Sequence, residues 1–324
     1  ANGLMVFQTG PDSIGFHYYD LPNTQWVYIN TNGFATDTTA WKITGNANIT
    51  SANFLGTTND TALRFRIKNI PSGILDSASL NTALGYKSLA NNTTGVGNTS
   101  LGYLSNQERT TGNFNTAIGV EALQYDTSGS LNTAVGWRAL RNHVTGIENT
   151  AVGVGALESD SSGNRNTSVG RYSTFLLKKG NDNTALGYNA AFSADSTNSV
   201  TAIGMNALST NKKDFNTAVG RAAGANNNNT ANGPTDGIEN SYLGYHAGVG
   251  NWFGSKNTAV GHKAIANNFG GLYGSSRNTA VGDSAMAFTY GGSNTAVGVN
   301  AMGINQGGFQ NVAMGDSSMG GALN

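Results

Sequence analysis

The residues able to carry chemistry are few and badly spaced for it. The four histidines are His17, His143, His246 and His262. No two stand at the i, i+3 or i+4 separation of a zinc motif. His246 and His262 lie near one repeat apart, on two different and variable sites, so a metal role is set aside. Glu121, Asp126, Glu158 and Asp160 occupy variable or turn sites, where solvated turn acids are expected rather than a catalytic pair formed across coils. There is no cysteine, which removes disulfide, thiol and Cys–metal chemistry. Neither a Gly-x-Ser-x-Gly elbow nor a Walker phosphate loop occurs. Gly153-x-Gly155 belongs to a repeat and carries no dinucleotide signal, and the recurrent Asp of calcium-binding rolls is missing. The sequence therefore predicts no enzyme, no cofactor and no metal site.

Composition points the same way. The chain has 324 residues, of which 45 are Gly, and only 11% are charged, with zero net charge. That charge content is well below the roughly 25% of an ordinary soluble domain. A neutral chain with scattered charge has no electrostatic footprint for nucleic acid or anionic membrane. No run of 18 apolar residues exists, so no membrane-spanning helix is expected. The opening at Ala1, without an initiator Met or a signal peptide, reads as a processed or trimmed start.

What would position any site is an internal repeat. The unit starts as Asn-Thr-Ala-Leu-Gly at Asn81 and recurs at Asn98, Asn115, Asn132, Asn149, Asn166, Asn183 and Val200, each step being 17 residues. Further starts at Asn216, Asn240, Asn257, Asn278, Asn294 and Asn311 follow steps of 16, 24, 17, 21, 16 and 17 residues. We number these coils 1 to 14. The fifth residue is always glycine: Gly85, Gly102, Gly119, Gly136, Gly153, Gly170, Gly187, Gly204, Gly220, Gly244, Gly261, Gly282, Gly298 and Gly315. The fourth is aliphatic or Met, the third small except at Tyr242, the eighth Ala or Ser, the ninth often large and apolar, and the sixth unrestricted.

A 17-residue unit broken by Gly and by Asp-Ser-Gly or Asn-Asn turns leaves no room for a helix. Thr-Ala-Val-Gly reads as a short strand, Thr82 and Leu84 on one face and Ala83 on the other. A second short strand is expected near positions eight and nine. Stacking gives an all-β chain, a parallel β-solenoid with coils about 4.8 Å apart and a rod of roughly 60 Å. Neighbouring coils supply each other's core. The glycine column implies a positive-φ turn or a close backbone approach. Asn over Asn permits amide ladders. The small third and eighth residues fit either a narrow interior or a close subunit contact.

Residues 1–50 do not repeat and read as a small β module, with strands at Leu4–Gln8 and Trp26–Ile29 around the aromatic Phe16–Tyr19 segment. Residues 51–80 form a transition and cap, including a strand at Leu63–Ile67, and 81–324 hold the β-roll. The insertions around Ala225–Gly237 and Phe269–Gly274 read as tolerated loops on one side of the solenoid.

Two columns invite a function. Trp137, Tyr188 and Tyr245 at the free sixth position, with Trp252 and Phe253 nearby, form a candidate partner-binding stripe for a host-surface protein or glycan. The Thr column (Thr82, Thr116, Thr133, Thr150, Thr184, Thr258) suggests ice binding, which is ranked low because Thr shares its face with the aliphatic fourth residue and is buried if that residue is.

The Asn-Thr-Ala-Val-Gly units at Asn132–Gly136 and Asn294–Gly298 resemble the head repeats of YadA-like trimeric autotransporter adhesins, over about residues 77–320. The opening Gly3–Thr9 with Gly15–Asp20 resembles modules that precede such repeats in surface or tail-fibre-like proteins of Bacteroidota. The unit here is longer than the family's usual one. The resemblance implies a left-handed β-roll, a homotrimer and an adhesive role at the cell surface or outside the cell. The alternative it leaves open is a tail fibre of a phage or contractile injection system.

Overall fold

The computed structural model describes residues 5–8, 15–20, 25–29, 55–226, 237–251, 254–266, 275–305 and 307–320. The chain divides into two compact units, Ala1–Gly56 and Thr57–Asn324. In the first, β1 (Met5–Gln8), β2 (Gly15–Asp20) and β3 (Gln25–Ile29) form an antiparallel sheet with β2 in the centre. The aromatic segment is thus a strand in its own right, with Phe16 opposite Phe7 on one side and Ile29 on the other.

The second unit opens with a hairpin of β4 (Leu63–Ile67) and β5 (Ile70–Asp76). Its two-residue turn, Lys68–Asn69, has φ of 49° and 61°, the doubly left-handed form that matches the twist of the flanking strands. β5 then pairs antiparallel with β6 (Asn81–Leu84), the strand of coil 1. From β6 onward every coil strand pairs parallel with the next, in one 16-stranded sheet that includes the hairpin. No described residue is in a helix.

Register is strict: Thr150 lies beside Thr133 and Thr167, and Val152 beside Val135 and Val169. The Thr150 N–H donates to the Asn166 carbonyl of the following coil, and the Gly153 N–H to Val135 of the preceding one, both at 2.8 Å. The insertions do not disturb this. Thr217 still pairs with Ser241, and Thr258 with Thr279, so the ladder keeps its register across both insertions. The inserted residues 227–236 and 267–274 lie outside the described residues.

In coils 1 to 10 the strand expected at positions eight and nine is replaced by turns, whereas the ninth residues of coils 11 and 12, Ile265 and Met286, do form a parallel bridge. In coil 4, Arg138 and Leu140 have φ of 58° and 49°, and alternating left-handed residues cannot continue as an extended strand. This segment still bonds to its neighbours, as Leu140 N–H does to the Ala156 carbonyl at 3.0 Å. A left-handed non-glycine residue costs roughly 1–2 kcal/mol. Full burial of the Leu140 side chain contributes roughly 1.5–3 kcal/mol, enough to offset its own left-handed backbone.

The interior is narrow. Ala151, Ala156 and Leu157 are fully buried, as are their counterparts Ala134, Ala139 and Leu140 one coil earlier. The small third and eighth residues therefore line the solenoid's own core. Coil 10 shows how tight it is. Tyr242 replaces the third-position Ala and is buried, its hydroxyl accepting from Asn251 Nδ2 at 2.6 Å. Room comes from the ninth position, where Gly224 and Gly248 stand in place of Leu and a methyl on either would collide with the Tyr242 ring.

Candidate functional site: the outward columns of the coils

Side chains alternate along a strand. Because the central Ala points inward, both the Thr and the aliphatic residue of each coil point outward. Leu84, Leu101 and Leu243 are about half exposed, and Met314 is 70% exposed. The expectation that an aliphatic fourth residue would bury the Thr beside it is reversed here. The interior is wide enough for Ala but not for Val or Leu, so the more apolar residue is the one turned out. The result is an unbroken ladder of aliphatic side chains beside a ladder of Thr, on one face of one sheet.

The sixth residues form a second outward column. Tyr86 and Tyr103 stack with centroids 5.6 Å apart and planes 11° apart. Further along, the Arg221 guanidinium lies 5.5 Å over the Tyr245 ring, Tyr245 stacks on His262 at 5.5 Å, and His262 Nδ1 meets Asp283 at 3.1 Å. Trp137, Tyr188 and Tyr245 are 42%, 44% and 42% exposed. The Arg138 guanidinium sits 4.4 Å over Trp137. In the Tyr86–Tyr103 and Arg221–Tyr245–His262 stacks the ring faces are turned to column neighbours, whereas Trp137 is faced by position seven of its own coil. Trp252 and Phe253 lie outside the described residues.

No family model, curated protein or solved structure matches this chain. What holds both columns in place is visible in its own backbone. The glycine column has φ near +135°, as at Gly136, Gly153 and Gly187, a region essentially restricted to glycine. The Asn column forms a ladder inside. Asn149 Nδ2 donates to the Gly163 carbonyl at 2.7 Å and to Asn132 Oδ1 at 3.1 Å, while its Oδ1 accepts from the Asn166 N–H at 2.9 Å.

The acids divide into two groups. Glu121 and Glu158 face outward in a network with Arg138 and Arg141, where Arg138 Nε is 2.9 Å and Arg141 Nε 2.8 Å from Glu121. Partial burial pushes the Glu158 carboxyl up, against the pull of Arg138 and Arg141. Asp126 and Asp160 correct the expectation of solvated turn acids. Each does cap its turn, accepting from Gly129 N–H and Gly163 N–H at 2.7 Å, yet both side chains are fully buried. The cap draws the carboxylate across the inside of the turn. The missed signal was the 17-residue spacing of Arg109, Asp126, His143 and Asp160, which stacks them at position twelve. Among the described residues no group of three His, Asp or Glu side chains is placed to hold a metal, and no helix is long and apolar enough to cross a membrane.

Proposed function

We propose that this chain is a structural and adhesive subunit of an extracellular fibre, assembled as a homotrimer along its outward strand face. The observation that carries the reading is the continuous aliphatic ladder on that face. An exposed apolar strip of this extent marks an association surface. If each coil's partly exposed aliphatic residue contributes roughly half a kcal/mol on burial, the ladder supplies on the order of 7 kcal/mol per chain. That is comparable with the estimated 4–15 kcal/mol cost of association. A flat, in-register face of short Thr and aliphatic side chains also suits sheet-on-sheet packing at about 10 Å. Trimer symmetry itself comes from the resemblance to YadA-like heads. The sixth-position column, with Trp137, Tyr188 and Tyr245, remains available to a protein or glycan receptor.

Chemical cross-linking of the purified chain tests this. The wild type is expected to give a three-chain species. The double substitution Val135→Asp with Val152→Asp places carboxylates in the joint and should weaken assembly by more than about tenfold, with the β-sheet circular dichroism retained. A wild type that cross-links only within single chains, or a double variant that assembles normally, would remove the reading. The same account predicts no thermal hysteresis from the assembled protein, because the Thr column is covered. Clear hysteresis at freezing would show that face open to water and revive ice binding.

A further inference from the structure

Position twelve of the coil carries four ionisable groups in consecutive coils: Arg109, Asp126, His143 and Asp160, all fully buried. Arg109 Nη2 donates to Asp126 Oδ2 at 2.6 Å, its Nε to Asn106 Oδ1 at 2.8 Å and its Nη1 to the Gly129 carbonyl at 2.8 Å. His143 Nδ1 is 3.6 Å from Asp126 Oδ2, and its Nε2 is 3.3 Å from Asn149 Nδ2. Asp160 Oδ1 accepts from the Ser162 and Gly163 N–H groups at 3.3 and 2.7 Å. Two atoms are left over: Asp160 Oδ2 and His143 Nδ1 are buried without a hydrogen-bond partner. The same column continues as Leu177 and Ala194, both buried, so an apolar residue satisfies the packing and the charges need another reason.

With a neutral imidazole this column holds one positive and two negative charges, a net charge of −1 in a dry core, which is costly. We infer that the column is a proton-binding site, taking one proton from solvent onto Asp160 at mildly acidic pH and so tightening coils 4 and 5. One proton on Asp160 brings the column to neutrality and removes an uncompensated charge from the core. The groups around it in the column are His143, Asp126 with its Arg109 partner, Asn149 and the turn amides of Ser162 and Gly163. Burial pushes the Asp160 carboxyl up to about 6, against opposing pulls from His143 and the two amides. The folded state then binds this proton more tightly than the unfolded chain, whose carboxyl titrates near 3.8. Stability from this site rises as pH falls from about 6 toward about 4, and is lost as pH rises through about 6.

The test is thermal unfolding of the full chain between about pH 8 and about pH 4, for wild type and for Asp160→Leu, which copies Leu177. The wild type is expected to melt several degrees higher at the acidic end. Asp160→Leu should melt higher than wild type at neutral pH and lose much of that slope, while the exposed control Asp182→Asn keeps it. An Asp160→Leu variant with the wild-type slope overturns the proposal. Should that variant fail to fold, a carboxyl carbon NMR titration of the wild type decides: a midpoint near 6 for Asp160 supports the site, and one in the ordinary carboxylate range ends it.

Discussion

Replacing Gly153 by Ala is expected to destabilise the shaft by about 3 kcal/mol or more. Two effects add. The residue sits at φ +135°, and an L side chain there costs on the order of 1–3 kcal/mol. The new methyl would also lie 2.6 Å from the Gly170 carbonyl oxygen and 2.7 Å from its carbon. Those are backbone atoms of the next coil, fixed by the ladder, so relief requires coils 5 and 6 to part. Gly315 separates the two effects. Its φ is also positive, at 108°, but nothing lies within 4 Å of an added methyl, so Gly315→Ala should show the conformational cost alone. Solenoid stability is close to a sum over neighbouring coils. Hydrogen exchange at the Gly170 N–H, which bonds the Val152 carbonyl, therefore reports the damage where it arises. Equal effects at both glycines would contradict the close-approach argument.

The second large effect is expected at the Asn ladder. Asn149→Ala removes the donor to the Gly163 carbonyl and the acceptor for the Asn166 N–H. Asn166 itself is buried, as is the turn carbonyl of Gly163. Each orphaned buried group costs about 1–3 kcal/mol, so a loss of about 2–6 kcal/mol is expected in denaturant unfolding. Coil 8 shows what compensation takes. There Val200 replaces Asn, and the Asn216 side chain turns instead to Asn211 Oδ1 at 3.2 Å and the Lys213 carbonyl at 3.3 Å. A loss under about 0.5 kcal/mol, the size of an ordinary surface substitution, would show that the ladder is ornamental.

Much of the solenoid was legible because one requirement repeats. Gly at every fifth position, Asn at nearly every first and steps of 17 residues admit stacked coils and little else. The inside and outside of the strand were not legible. Hydrophobicity ranks Val152 above Ala151 for burial, but the width of the cavity, set by Leu157 and Ala156 from the far wall, reverses the order. Positions seven and nine misled for a different reason. Arg138 and Leu140 carry no mark of a left-handed backbone, a conformation imposed here by the coil's closure. The buried column was hidden in plain turn chemistry. Asp-Ser-Ser-Gly at Asp160 reads as a surface turn, and only its alignment with His143, Asp126 and Arg109 places it inside. Of the sixth-position aromatics, Trp137, Tyr188 and Tyr245 do reach solvent, but the stacking of Tyr245 between Arg221 and His262 depends on which residue the adjacent coil contributes.

The central claim is that the aliphatic ladder is a joint between copies of this chain. Light scattering on the purified protein, at concentrations down to the low micromolar range, tests it most directly. The account predicts a particle of three times the 33.5 kDa chain mass. A stable particle of 33.5 kDa, with the ladder left in water, would contradict it.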